Sequence, residues 1–239
     1  MAPDLADFPR PSVAVDLALL SVRPTTDGSG GQLVTLVQQR LEEPRGEVLP
    51  GRFIRDRETV VQTVEALLEE KVGISPRSVR PRLLRLFDDP GRDERGWVLS
   101  VAHSVALPWD EVSEATGTWR AVDEQGGLRT TRLLFDHAAI LCEAVADLRA
   151  RYEVEPDPDR ILPSPFTLRE LRLLHQAVAG ERLRKDTFNR RMRLLLAEAE
   201  PSGDQPRVGR PAQFYAHQER EGRGVAPLAE APWRLPREE

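Results

Sequence analysis

Apolar residues recur along this chain in two periods, and the change from one to the other divides it. Residues 12 to 22, SVAVDLALLSV, are almost continuously apolar, which predicts a strand buried on both faces. TTDGSGG reads as a hairpin tip, and QLVTLVQQR as the returning strand, ending in Arg40. A helix follows over 58–72, with Val60, Val61, Val64, Leu68 and Val72 supplying its buried face. RPRLLRLFDD and GWVLSVAHSVAL predict two more strands around the turn-rich DPGRDERG, and TWRAVD a short one. HAAILCEAVADLRARYE then turns to a helical spacing of apolar residues. His103 falls inside a predicted strand, where it reads as core or pocket lining, and is assigned no role.

EVEPDPDRILPSP holds four prolines and is read as a linker. Beyond it the period is helical. In FTLRELRLLHQAVAG, Thr167 and Glu170 form a capping box and Gly180 ends the helix. Leu168, Leu171, Leu174 and Val178 mark its core face. A second helix begins near Asp186 and turns Phe188, Met192, Leu195 and Ala199 inward. Its opposite side carries Arg190 and Arg193, with Thr187 and Arg191 beside them, a surface suited to the DNA major groove. PSGDQPRVGRPAQFYAH reads as a β-hairpin with its tip at Gly209-Arg210-Pro211. Two helices and a hairpin make a winged helix-turn-helix; the plain alternative is a helical dimerisation domain with a solvated basic face. The predicted organisation is a flexible arm (1–11), an α/β domain (12–153), a linker (154–165), the winged helix (166–218) and a tail (219–239).

Composition narrows the function. At 40% hydrophobic and 31% charged, the 239 residues are those of a soluble globular protein. No run approaches the ~18 apolar residues of a membrane span, and MAPDLADFPRPS has no signal-peptide pattern. The single cysteine, Cys142, is read as a packing residue; it excludes an intramolecular disulfide and fits a cytoplasmic location. No Cys/His cluster has zinc spacing. The net charge of −5 hides an asymmetry: residues 160–223 hold 13 Arg or Lys against 8 Asp or Glu. That excess fits an anionic partner, or an ordinary solvated surface.

The chemistry centres on LPGRFIRDRETVVQTVEALLEEKVGI, residues 49–74, where a glycine loop enters a helix. Positions 67, 70 and 71 fall on one face of a regular helix. A Mg²⁺ site needs hard oxygen ligands. Glu70 supplies one, Leu67 supplies none and Lys71 repels a cation. The stretch resembles the Nudix box, G-x5-E-x7-R-E-U-x-E-E-x-G-U with U aliphatic. Glu58, Leu68, Glu70, Gly73 and Ile74 match that pattern. Arg52, Ala66, Leu67 and Lys71 depart from it, at its first Gly, its Arg and two of its Glu positions. Metal-assisted hydrolysis is therefore expected to be absent or weak. Arg40, Arg52, Arg92 and Arg95 border the cleft of such a fold and suit phosphate, while Phe53 and Trp97 offer rings to a base.

The order of the two halves resembles the Nudix-related transcriptional regulators of the NrtR type. The resemblance rests on FDDPGRDERGWVLSVAH, LLFDHAAIL, FTLRELRLLHQAVAG, KDTFNRRM and GRPAQFY. It implies an α/β fold, a Nudix α/β/α sandwich followed by a winged helix-turn-helix. It also implies a homodimeric repressor of NAD metabolism genes, bound to a palindromic double-stranded operator and released by ADP-ribose or a related nucleotide. Carried onto this chain, effector contacts fall on Arg40, Gly51, Arg52, Phe53, Glu70, Arg92, Asp93 and Arg95. DNA contacts fall on Arg184, Lys185, Thr187, Asn189, Arg190, Arg191, Arg193 and Arg210. No catalytic residue, metal site, cofactor or membrane partner is expected. Two rivals remain at this point: a pyrophosphohydrolase using Glu58 and Glu70, and a protein-binding role for the C-terminal helices.

Overall fold

The computed structural model describes residue 4, residues 7–200 and residues 212–218. A mixed sheet in the order β3-β2-β1-β6-β5 is built from β1 (Ser12–Pro24), β2 (Gly31–Arg40), β3 (Gly46–Val48), β5 (Arg82–Phe87) and β6 (Val98–Ala106). Two short strands complete it: β4 (Gly51–Phe53) pairs with β1, and β7 (Thr118–Ala121) with β2. Strand β1 runs parallel to β6 and antiparallel to β2 and β4.

Its near-continuous apolar run has the predicted cause, since successive residues feed opposite layers. Val15, Leu17 and Leu19 meet Val64, Leu67 and Leu68 of the helical layer on one side. Ala18 and Leu20 meet Ile140, Leu141, Ala144 and Leu148 on the other. The first layer is helix α1 (Val60–Ala66), which continues as a π-helical turn over Leu67–Val72, and short α2 (Trp109–Val112). The second is α3 (His137–Val154).

The helix expected over 58–72 thus starts later and changes its winding. Thr59 and Gln62 form a capping box, so Glu58 sits in the preceding loop. The π turn redirects the residues that follow: Leu67 is fully buried while Glu70 and Lys71 are exposed, so the three do not share one face. Val61, expected inside, is 41% exposed. Gly73 closes the turn at φ 78, a left-handed conformation that favours glycine. Cys142 also departs from expectation. It is exposed, because α3 turns 140, 141, 144, 145, 148 and 152 toward the sheet.

The C-terminal part contains β8 (Phe166–Thr167), α4 (Leu168–Ala179), α5 (Lys185–Arg193), β9 (Leu196–Ala199) and β10 (Phe214–His217), with the strands in the order β8-β10-β9. Thr167 and Glu170 form the predicted capping box, and Gly180 adopts φ 78. Helix α5 is shorter than its pattern suggests. Leu195 is exposed and Ala199 lies in β9, because LLLAEAE reads as a strand once it pairs with β10. The hairpin tip with Arg210, and the tail from 219, lie outside the described residues.

The proline-rich stretch is tied down. Asp157 is buried, with φ 46, and its carboxylate accepts from Tyr152 Oη (2.7 Å), Ile161 N (2.8 Å), Leu162 N (2.8 Å) and His217 Nε2 (3.1 Å). Helix α4 is shared. Leu168 and Leu171 pack with Phe166, Phe188, Met192 and Tyr215, whereas Leu174 and Val178 join the core of the first domain.

His175 lies in this joint, its ring edge-on to Tyr152 and Phe188 at 5.0 Å from each. Burial pushes its pKa down to about 4. The folded state therefore takes up its proton at lower pH than the unfolded chain, and stability falls as pH drops from the ordinary histidine range toward 4. His175→Phe is expected to remove an acid-dependent loss of about 3 kcal/mol, seen as a flatter dependence of the melting temperature on pH between about 6.5 and 4.

Candidate anion-binding cleft and nucleic-acid interface

One end of the sheet opens into a cleft of about 650 Å³. Its floor is a buried charge network. Asp16 of β1 accepts from Ser100 Oγ at 2.6 Å and Arg92 Nη2 at 3.2 Å, with His137 Nε2 3.5 Å away. Arg92 also grips Asp136 through Nε (2.8 Å) and Nη2 (2.6 Å), and His137 Nδ1 accepts from Leu49 N at 2.9 Å. Burial alone would raise the Asp16 pKa, but His137, Ser100 and Arg92 outweigh it and hold it at about 2. Register explains Gly51. Strand β4 sets it opposite Asp16, and a Cβ there would lie 2.1 Å from Asp16 Oδ1.

The walls are cationic. Arg52 reaches Glu58 at 3.2 Å and Glu70 at 3.6 Å. Lys71 Nζ donates to the Gly51 carbonyl at 2.5 Å. Arg40 donates to Glu42 and to the Glu43 carbonyl, both at 3.2 Å. Arg95 is paired to Asp93 through Nε (2.9 Å) and Nη2 (2.6 Å), and its guanidinium lies 4.9 Å from the Phe135 ring and 5.7 Å from the Phe53 ring. Two buried donors, Arg40 Nε and Arg52 Nη1, have no hydrogen-bond partner among the described residues. Orphaned guanidinium donors in a cleft of this size suit an anion with several oxygens.

A second basic surface belongs to α5. Phe188 and Met192 bury one side, and Lys185, Arg190 and Arg193 stand exposed away from it. Arg184, Thr187 and Arg191 instead line a 560 Å³ cleft between α5 and the end of α3. There Arg191 donates to the Glu153 carbonyl.

Residues 159–216 match the family model of the NrtR DNA-binding winged helix domain. The chain thus carries a winged helix of the NrtR type. It is 28% identical over 221 residues to the ADPR responsive transcriptional repressor NtrR of Acinetobacter baylyi, a match covering 88% of this chain and 83% of that protein. The structure of Shewanella oneidensis NrtR complexed with a 27mer DNA superposes with a TM-score of 0.66 and 26% identity, covering 86% of this chain and 93% of that one. A MutT/nudix family protein from Enterococcus faecalis shares the fold, with a TM-score of 0.70 and 22% identity over 91% of this chain and 89% of that one. The expected fold, a Nudix domain followed by a winged helix, is therefore present.

All eight residues expected at the effector site line one cleft. They are not equivalent. Arg92 is saturated by Asp16 and Asp136 and serves the floor, and Asp93 is occupied with Arg95. Trp97 is exposed and does not line the cleft. Sequence reasoning missed Asp16, Phe135 and His137, which come from β1 and the start of α3; only their types within apolar surroundings hinted at them. His103 is buried, with Nδ1 2.9 Å from the Val101 carbonyl, a core position. Of the DNA candidates, Asn189 is half-buried and Arg191 is engaged with the Nudix domain.

A Nudix fold implies a divalent metal, and the residues present do not fit one. Leu67 is in the core, Lys71 is turned onto Gly51, and Arg52 stands between Glu58 and Glu70. Among the described residues no three or more His, Cys, Asp or Glu side chains come together for a metal ion.

Removing the centre of the floor should be costly. Arg92→Met leaves Asp16 and Asp136 facing each other's charge without their cation, and breaking a buried pair in this way costs roughly 3–5 kcal/mol. Thermal denaturation should show a larger loss than for Arg95→Met, whose guanidinium meets one carboxylate and is 34% exposed.

Proposed function

We propose that this chain is an ADP-ribose-responsive transcriptional repressor of NAD metabolism genes, acting in the cytoplasm as a homodimer on a palindromic operator. The observation that carries this reading is the physical joining of two sites. A cationic, aromatic-edged cleft and an exposed Arg-bearing helix are linked through α4, whose apolar residues are divided between both domains. The relative's description as an ADPR responsive repressor and the DNA complex of the Shewanella protein support the two ligands.

The cleft suits a nucleoside diphosphate sugar. Arg40 and Arg52 meet the diphosphate with their orphaned donors, and Phe53 and Phe135 flank the base or ribose. In the winged helix, Lys185, Arg190 and Arg193 are placed for phosphates and base edges. Two such helices must stand about one DNA turn apart on a palindrome. A ligand shifts the dimer away from that spacing only by binding the other arrangement more tightly. Asp157 and the Arg191–Glu153 contact tie the winged helix to α3, so movement there alters helix spacing. The Nudix domain on this reading is a sensor that has lost hydrolysis: a leucine and a lysine occupy two Glu positions of the box.

The test is a pull-down of sheared genomic DNA by the full-length protein with and without ADP-ribose. The expected result is a few fragments sharing a palindrome, released by the ligand; no enrichment at moderate salt in either condition would overturn the proposal. Arg190→Ala and Arg193→Ala should each weaken operator binding by roughly 1–3 kcal/mol if they read bases, while leaving ADP-ribose affinity unchanged. Affinity for the operator should fall steeply with salt.

A further inference from the structure

Glu58 and Glu70 are the two carboxylates of the loop and helix that a divalent cation would use, and both face Arg52. Its Nη2 lies 3.2 Å from Glu58 Oε1 and its Nη1 lies 3.6 Å from Glu70 Oε2. The Arg52 side chain is only 7% exposed, and Nη1 has no hydrogen-bond partner among the described residues. Glu58 is held in place by Arg55 N at 2.9 Å. On the other side of the loop, the Lys71 ammonium sits on the Gly51 carbonyl. Guanidinium thus occupies the space between the carboxylates and offsets part of their charge.

We infer that Arg52 is the resident cation of this cleft, a specificity residue that lets a diphosphate bind without a divalent metal. The inference rests on the nucleotide-effector reading and deepens it. A planar guanidinium presents paired donors to phosphate oxygens. Being covalently tethered, it makes occupancy independent of the metal supply. It also has no exchangeable water to activate, so a ligand that it holds is not cleaved. Nη1, 3.6 Å from Glu70 and without a hydrogen bond among the described residues, is the donor that turns to the incoming diphosphate while Nη2 stays on Glu58.

The full-length protein is to be titrated with ADP-ribose in EDTA and in excess Mg²⁺, as wild type, Arg52→Gln and Arg52→Lys. Mn²⁺ binding is followed on the same proteins by water-proton relaxation, which needs no nucleotide. Wild-type affinity should agree within about twofold in the two conditions, with no Mn²⁺ enhancement. Arg52→Gln should lose about tenfold in EDTA, recover part of it in Mg²⁺, and gain Mn²⁺ enhancement from the uncovered carboxylates. Arg52→Lys keeps the charge without the planar fork, so it should fall between the two and remain indifferent to metal. Wild-type binding that requires Mg²⁺, or an Arg52→Gln protein equal to wild type in EDTA, overturns the inference. Absence of ADP-ribose binding in every wild-type condition overturns the effector reading instead; the Mn²⁺ series then decides Arg52 alone, and equal enhancement in wild type and Arg52→Gln refutes its role.

Discussion

The division of helix α4 between two hydrophobic clusters is the constraint on which the rest of the molecule depends. Leu168 and Leu171 complete the small core under the winged helix, and Leu174 and Val178 complete the larger core under the sheet. A domain of this size has little apolar surface to spare. Neither cluster can shed α4 without exposing residues that are buried now. The orientation of α5, which packs on α4 through Phe188 and Met192, is therefore set partly by the Nudix sheet. At Gly31 a Cβ would touch Ala177 of α4 at an ordinary 3.6 Å, and its overlap would be with Val22 of β1 at 2.5 Å.

Electrostatics divides the cleft into a fixed floor and a receptive wall. Arg92 is enclosed by Asp16 and Asp136, which commits its guanidinium to the floor rather than to a ligand. Arg40 and Arg52 keep donors unspent. Arg92 and Arg52 each meet two carboxylates, and what separates them is that Arg52 keeps a buried donor without a hydrogen-bond partner among the described residues. The eroded box acquires a physical meaning in this setting. Leu67 and Lys71 stand at two Glu positions of the box, and Arg52 fills the space between Glu58 and Glu70, so the concavity is kept while the carboxylates a metal would need are fewer.

Much of the architecture was legible because local rules and tertiary packing agreed. The capping box at Thr167 and Glu170, the left-handed Gly180 and the apolar run of β1 all appear where their chemistry places them. Misreadings arose where a local period was ambiguous. LLLAEAE fits either a helix or a strand, and pairing with β10 decided for the strand. Leu67 looked like a neighbour of Glu70 and Lys71 on a regular helix, and the π turn sent it into the core. The proline-rich stretch looked like a loose connector, yet the Asp157 carboxylate fastens it to α3 and β10.

By itself, the sequence determined the kinds of elements, the two-part order and the cationic character of both sites, because periodicity, capping and charge are local properties. Only the tertiary structure decided how each arginine's donors are engaged. Arg92 and Arg52 look alike in the chain, as do Arg190 and Arg191. Their difference lies in partners 76 and 38 residues away, Asp16 for Arg92 and the Glu153 carbonyl for Arg191. Such partners meet only when the strands and helices pack, so the availability of a charge is a property of the fold.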